Sequence, residues 1–166
     1  MVDPSMTMIH LEDMENIALG GAFLGTGGGG DPYIGKLMAR QAIAANGPVK
    51  VIDVETLPDD ALVVPVAMMG APTVMLEKLP QGGEALSALQ SLQNYLGRKA
   101  DAVFCIEAGG LNSTIPIAVA ASASLPIIDG DGMGRAFPEL QMVSMTMHHV
   151  AACPMVMADE KGNSLV

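Results

Sequence analysis

A chain of 166 residues, half of them hydrophobic but only 3% aromatic and none Trp, suits one domain with a core of Ala, Val, Ile, Leu and fourteen Met. Its formal charge of −10, with only eight Lys and Arg, argues against nucleic acid as a partner, because phosphate-backbone binding needs cations along the surface. No apolar run reaches the roughly 18 residues of a membrane span. The start MVDPSMTMIHLEDMEN lacks the regions of a signal peptide, and Cys105 and Cys153 are too few for a disulfide scaffold; a cytoplasmic location with free thiols is expected.

The first predicted element is a helix over residues 11–24, where Met14, Ile17, Ala18, Gly21 and Ala22 share one face. It runs into Thr26-Gly27-Gly28-Gly29-Gly30, which no helix or strand interior would choose, because each glycine loses much backbone entropy on ordering. Asp31-Pro32 then pairs an N-cap residue with proline at the first helical position, so the glycine loop opens onto a second helix that stops at Asn46-Gly47. Strands are predicted over 49–54 and 62–68, the second apolar enough to be buried on both faces, with a turn at Leu57-Pro58-Asp59-Asp60. Residues 82–95 form a helix, with Ala85, Leu86, Leu89, Leu92 and Leu96 at helical intervals and Gly97 as its stop. A buried strand follows at 102–106, then a small-residue helix capped by Asn112 or Ser113 and running to about Ser124, then a buried strand at 126–128. This alternation predicts an α/β fold, a three-layer sandwich with a mostly parallel central sheet. Residues 142–147 fit strand or helix, and 154–166 read as the beginning of a hairpin. The expectation is a single α/β domain over 1–166, the N-terminal part of a longer two-domain protein whose β-rich domain follows.

Three segments can carry chemistry. In the first, Thr26, Gly27, Gly28, Gly29, Gly30 and Asp31 present successive backbone N–H groups at a helix N-terminus, a nest for an anion or a polarised carbonyl oxygen. It is not a P-loop, since Lys36 stands six positions past the last glycine, and a Rossmann fingerprint would need a strand before it. The competing reading is a tight helix–helix turn. In the second, residues 107–113 leave a buried strand at the carboxyl edge of the sheet, where open α/β sheets hold ligands. There Glu107 suits a general base and Asn112 an amide partner for a cyclic imide, against a reading in which Asn112 caps the next helix and Glu107 is solvated.

In the third, residues 129–139, Asp129 and Asp131 stand among glycines and suit either a divalent cation or an interacting carboxylate pair. Arg135 either pairs with one of them or holds a substrate carboxylate, and the competing reading is a turn stabilised by an Arg–Asp pair. The closing ligands of an EF-hand are missing. His148-His149 point apart on any regular element and make a poor metal pair. Cys105 reads as a buried, unreactive thiol, and Cys153 as the more exposed of the two. The methionines at 142, 145, 147, 155 and 157 read as core or interdomain packing.

Together, ALGGAFLGTGGGGDPYIGK, EAGGLNSTIPIAVAA and PIIDGDGMGRAFPELQM resemble the N-terminal domain of the S-methyl-thiohydantoin desulfurase family, associated with hydantoin utilisation, from about Ile9 to the end. The resemblance implies a three-layer α/β fold, a second β-rich domain, and hydrolysis in which water attacks the ring carbon bearing a methylthio group and methanethiol departs. That step needs a base for water, donors to polarise the ring, and a proton for the leaving group. Chemistry and placement make Asp129, Asp131 and Glu107 the catalytic candidates. The binding candidates are Thr26, Gly27, Gly28, Gly29, Gly30, Asp31, Asn112 and Arg135. The expected ligand is a small cyclic amide in a crevice completed by a further domain or a neighbouring subunit, and the acidic surface with an apolar Met-rich end suits a homo-oligomer. The alternative is a non-catalytic domain that holds a small ligand or docks a hydantoinase-like partner.

Overall fold

In a computed structural model that describes residues 7–78 and 80–166, the chain opens on a strand its sequence did not announce. Residues 1–6 of the polar start lie outside the described residues. Strand β1 (Met8–Ile9) pairs antiparallel with residues 49–50. Helix α1 (Met14–Gly25) is buried along Met14, Ala18, Gly21 and Gly25, whereas Ala22, expected on that face, is exposed. Close approach sets the stripe, because a Cβ on Gly25 would stand 2.9 Å from the Gly110 nitrogen. Helix α2 (Pro32–Asn46) starts as its sequence predicts, with the Asp31 side chain accepting the Tyr33 N–H at 2.8 Å. Lys36, itself largely covered, joins the two helices through the exposed Glu15 at 2.8 Å and holds that carboxyl below its usual range, but a pair open to water on its acidic side contributes little to stability.

Strand β2 (Val49–Ile52) is shorter than predicted because the Asp53 side chain accepts the Glu55 N–H at 3.0 Å and caps a 3-10 turn over Val54–Thr56. Next come β3 (Val63–Val66), an unforeseen short helix α3 (Pro72–Glu77), and α4 (Glu84–Leu96), which stops at left-handed Gly97. Strand β4 (Ala102–Cys105), helix α5 (Ile115–Ala123) and strand β5 (Ile127–Asp131) complete the main sheet. Its order is β1-β2-β5-β4-β3, parallel throughout except for the antiparallel edge strand β1. At the other edge β3 carries an exposed Pro65. The ambiguous stretch at 142–147 contains the end of a 3-10 turn over Leu140–Met142 and the short helix α6 (Ser144–Met147). The predicted hairpin is present as β6 (Met157–Ala158) and β7 (Ser164–Leu165).

Helix α5 lies against β2, β3, β4 and β5 and packs with α2, so one core joins Val64, Val103 and Ile127 of the sheet to Ile43, Ile115 and Leu89 of the helices. Burial on every side explains why α5 is apolar all round. The other face of the sheet, with Phe104 and Ile106, looks across a cleft at residues 137–157. The α/β architecture with a mostly parallel central sheet is therefore as predicted. Among the described residues no helix is long and apolar enough to cross a membrane.

Candidate functional site

The glycine loop is packed backbone against backbone. The Leu111 N–H donates to the Gly29 carbonyl at 2.8 Å, and the Gly28 N–H donates to the Gly25 carbonyl at 2.7 Å. Gly29 has φ 79° and Gly110 φ 56°; a Cβ on the first would stand 2.7 Å from the Gly109 carbonyl carbon, and one on the second 2.5 Å from the Gly29 carbonyl carbon. Of the six residues expected to bind ligand here, Gly29 and Gly30 line the cleft, while Thr26, Gly27 and Gly28 are exposed outside it. Asp31 uses its carboxylate as the α2 cap. Gly29 thus belongs both to the packed turn and to the cleft wall.

Glu107 and Asn112 come together just past the carboxyl end of β4. Glu107 is 7% exposed; its Oε1 accepts from Asn112 Nδ2 at 2.6 Å and its Oε2 from the Phe137 N–H at 2.8 Å. Burial of an unpaired carboxylate is costly, and fixed hydrogen-bond donors offset that cost. Asn112 Nδ2 also donates to the Met68 carbonyl at 3.1 Å, and its Oδ1 accepts the Met68 N–H at 2.7 Å, which joins the site to the chain just after β3. The reading that competed with a functional pair does not hold here. Asn112 does not cap α5, because it sits inside a 3-10 turn over Gly110–Ser113 and turns its amide away from that helix; Glu107 is not solvated but buried.

Asp129 and Asp131 lie within β5 rather than in a loop beyond it, because the chain stays paired until the Gly132 N–H donates to the Ile106 carbonyl at 3.0 Å. The register shifts between Val103 opposite Ile127 and Cys105 opposite Asp131, and the resulting bulge delivers the Asp131 side chain to the loop after β4. There Asp131 Oδ2 accepts the Ala108 and Gly134 N–H groups, each at 2.7 Å. Asp129 and Arg135 are exposed, and the described ion pairs do not include the Arg–Asp pair expected of the turn. Among the described residues no three His, Cys, Asp or Glu side chains gather as metal ligands, whether at Asp129 and Asp131 or at His148 and His149.

The cleft measures about 950 Å³. Glu107, Asn112 and Gly30 line it together with an apolar wall that includes Met68, Met145 and Met155. A carboxylate held by two donors at the edge of such a cleft can take a proton from a bound water or a ligand. The sequence placed Glu107 and Asn112 correctly at the carboxyl edge, but the partners Met68 and Phe137 are 44 and 30 residues away from Asn112 and Glu107, and no local pattern signals them.

Cys105 is buried and Cys153 exposed, both free. Burial pushes the Cys105 thiol up to about 12, with the neighbouring Asp131 and Glu107 charges acting in the same direction. With Ellman's reagent at pH 8, one thiol is expected to titrate in the native protein and the second only on unfolding; two fast thiols would contradict this burial. A thiol raised in the folded state contributes stability that is complete below its unfolded value of 9.0 and is lost as the pH rises toward about 12.

A mostly parallel α/β sheet with a polar cluster at its carboxyl edge, facing a cleft, is the class that fold and geometry define. Within that class the chain belongs to the S-Me-THD-like, N-terminal domain family, which matches residues 12–166. It is also similar to a protein of Chromobacterium violaceum whose crystal structure is known, with 29% identity and a TM-score of 0.77. The match covers 95% of this chain and 44% of that one, so the chain spans less than half of its relative. No curated protein matches the chain.

Proposed function

We propose that the cleft is a hydrolytic site for a small cyclic amide or imide of the S-methyl-thiohydantoin type, with Glu107 as general base. The carrying observation is the burial of Glu107 at the cleft with each carboxylate oxygen held by a donor. In this reading a water oxygen bonds to the ring carbon bearing the methylthio group while Glu107 takes a proton from that water. The carbon–sulfur bond then breaks, the proton passes from Glu107 to sulfur, the other water hydrogen goes to the ring nitrogen, and methanethiol and a hydantoin result. The Gly29 and Gly30 backbone is the part of the glycine loop placed to meet the ring, and Asn112 orients Glu107 rather than binding substrate. A β-rich domain or a second copy completes the cleft; the exposure of the cleft-lining Met69 at 71% and Met157 at 51% supports this part.

The same two hydrogen bonds also suit the alternative, a module that holds a small ligand without turning it over. Methanethiol release from S-methyl-thiohydantoins decides between them, measured on this chain alone and joined to the β-rich domain expected to follow, with and without chelator. Release supports the hydrolase, and chelator sensitivity would place a metal in the reaction. Tight binding without release supports the module.

Asp131 in this reading pins two loops and is not the base. Asp131→Asn keeps an oxygen that can accept both N–H groups, so its midpoint is expected to fall by only a few degrees. Asp131→Ala orphans the part-buried Ala108 N–H at about 1–3 kcal/mol, whereas the exposed Gly134 N–H turns to water, and its thermal midpoint should fall further than that of Asp131→Asn. Equal melting of the two variants would remove Asp131 from this role.

A further inference from the structure

Cys105 takes no part in the chemistry described, yet its thiol stands between the two residues on which that chemistry depends. The Sγ atom is within hydrogen-bond distance of the main-chain carbonyl of Glu107 and lies 3.0 Å from that of Asn112. These carbonyls belong to the two ends of the turn that leaves β4, reverses at Gly109-Gly110 and brings the Asn112 amide back to the Glu107 carboxylate. Opposite Cys105 on β5 is Asp131, whose carboxylate holds the Ala108 N–H of the same turn.

We propose that Cys105 is a positioning residue, whose single buried S–H is shared between the Glu107 and Asn112 carbonyls as a three-centre hydrogen bond and thereby sets the distance between the carboxylate and the amide that orients it. The inference rests on the reading of Glu107 as base. Its physical basis is the donor count: the two carbonyls face the interior of the turn, where a buried acceptor without a partner is costly. One S–H, carried on the long Cβ–Sγ bond, lies between the two carbonyls and is shared by them. Burial also keeps that thiol protonated far above neutral pH, so the donor persists across the range in which the protein would work. Displacement of a reacting group by a fraction of its own hydrogen-bond length is enough to slow a reaction strongly.

The test compares Cys105→Ala, which removes the donor, with Cys105→Ser, which restores one. Three quantities are measured in the whole protein: kcat and KM for methanethiol release, and hydrogen exchange at the Met68 and Phe137 amides, which report on the Asn112 and Glu107 side chains. Cys105→Ala is expected to lower kcat by more than about tenfold, with KM changed by less than about twofold, and to speed exchange at those two amides by more than about tenfold. Cys105→Ser should bring both readouts most of the way back. Unchanged exchange at Met68 and Phe137 in Cys105→Ala overturns the proposal, as does equal loss in the two variants. If Cys105→Ala does not fold, Cys105→Ser decides: exchange at Met68 and Phe137 within about threefold of the parent supports positioning, and a general rise across β4 and β5 overturns it. If the parent protein releases no methanethiol, the hydrolase reading fails, while the exchange comparison still decides whether Cys105 positions Glu107 and Asn112.

Discussion

Replacing Glu107 with Gln is expected to lower methanethiol release by about 10²- to 10⁴-fold, the range over which a positioned general base acts. The substitution keeps the shape of the side chain and removes the proton acceptor. It also has a structural consequence, because one of the two oxygens becomes an NH2 group. Whichever oxygen is replaced, the new donor meets another donor, either Asn112 Nδ2 or the Phe137 N–H. One orphaned donor costs about 1–3 kcal/mol, so the thermal midpoint should fall by roughly 2–10 °C. The kinetic loss must therefore be read in protein shown to be folded by circular dichroism at the assay temperature. Folded Glu107→Gln with release within about threefold of the parent would remove Glu107 from the role of base.

The largest effect on stability is expected at the contact between the glycine loop and the turn after β4. In Gly29→Ala the new methyl group meets the Gly109 carbonyl, and in Gly110→Ala it meets the Gly29 and Gly30 carbonyls. Both positions also have a positive φ that an L side chain disfavours. Because the obstacles are backbone atoms, no rotamer change relieves them, and each substitution should cost about 3 kcal/mol or more, lowering the midpoint by roughly 10 °C. Gly20→Ala is the control, since Gly20 sits inside α1 with nothing within 4 Å of its would-be Cβ. It should stabilise by about 0.5–1 kcal/mol through helix propensity alone. Differential scanning calorimetry of the three variants checks the set, and an undisturbed Gly29→Ala would mean that the loop stands off from the turn.

Much of the fold is legible because its signals are local. The Asp31-Pro32 start of α2, the Gly97 stop of α4 and the apolar runs of β3 and β4 each follow from a few neighbouring residues, and their alternation yields the parallel sheet. The misses share the opposite property. Strand β1 is two residues long and exists through its pairing with Val49 and Lys50, which no periodicity over two residues can announce. The buried face of α1 follows Gly21 and Gly25 rather than Ala22 because the turn at Gly110 comes closest there, and that approach is tertiary.

The candidate site divides in the same way. Glu107 and Asn112 stand where a strand-to-helix junction puts them, and glycine spacing marks the neighbourhood. Asn112 looks like a cap by residue type, yet a backbone N–H and carbonyl on Met68 compete for its amide and win. Asp129 and Asp131 look alike in sequence and differ entirely in surroundings, because the β5 bulge turns one into the loop while the other stays exposed.

The two margins of the sheet bear on how the protein behaves when crowded. On one side the ladder ends in the two residues of β1; on the other it ends in β3, where Pro65 has no N–H to offer. Neither margin presents a long row of free donors and acceptors to the strand of another molecule. Cross-chain strand addition, the usual beginning of ordered aggregation, has little template here, so a domain rich in exposed methionine can sit at high concentration without zipping edge to edge.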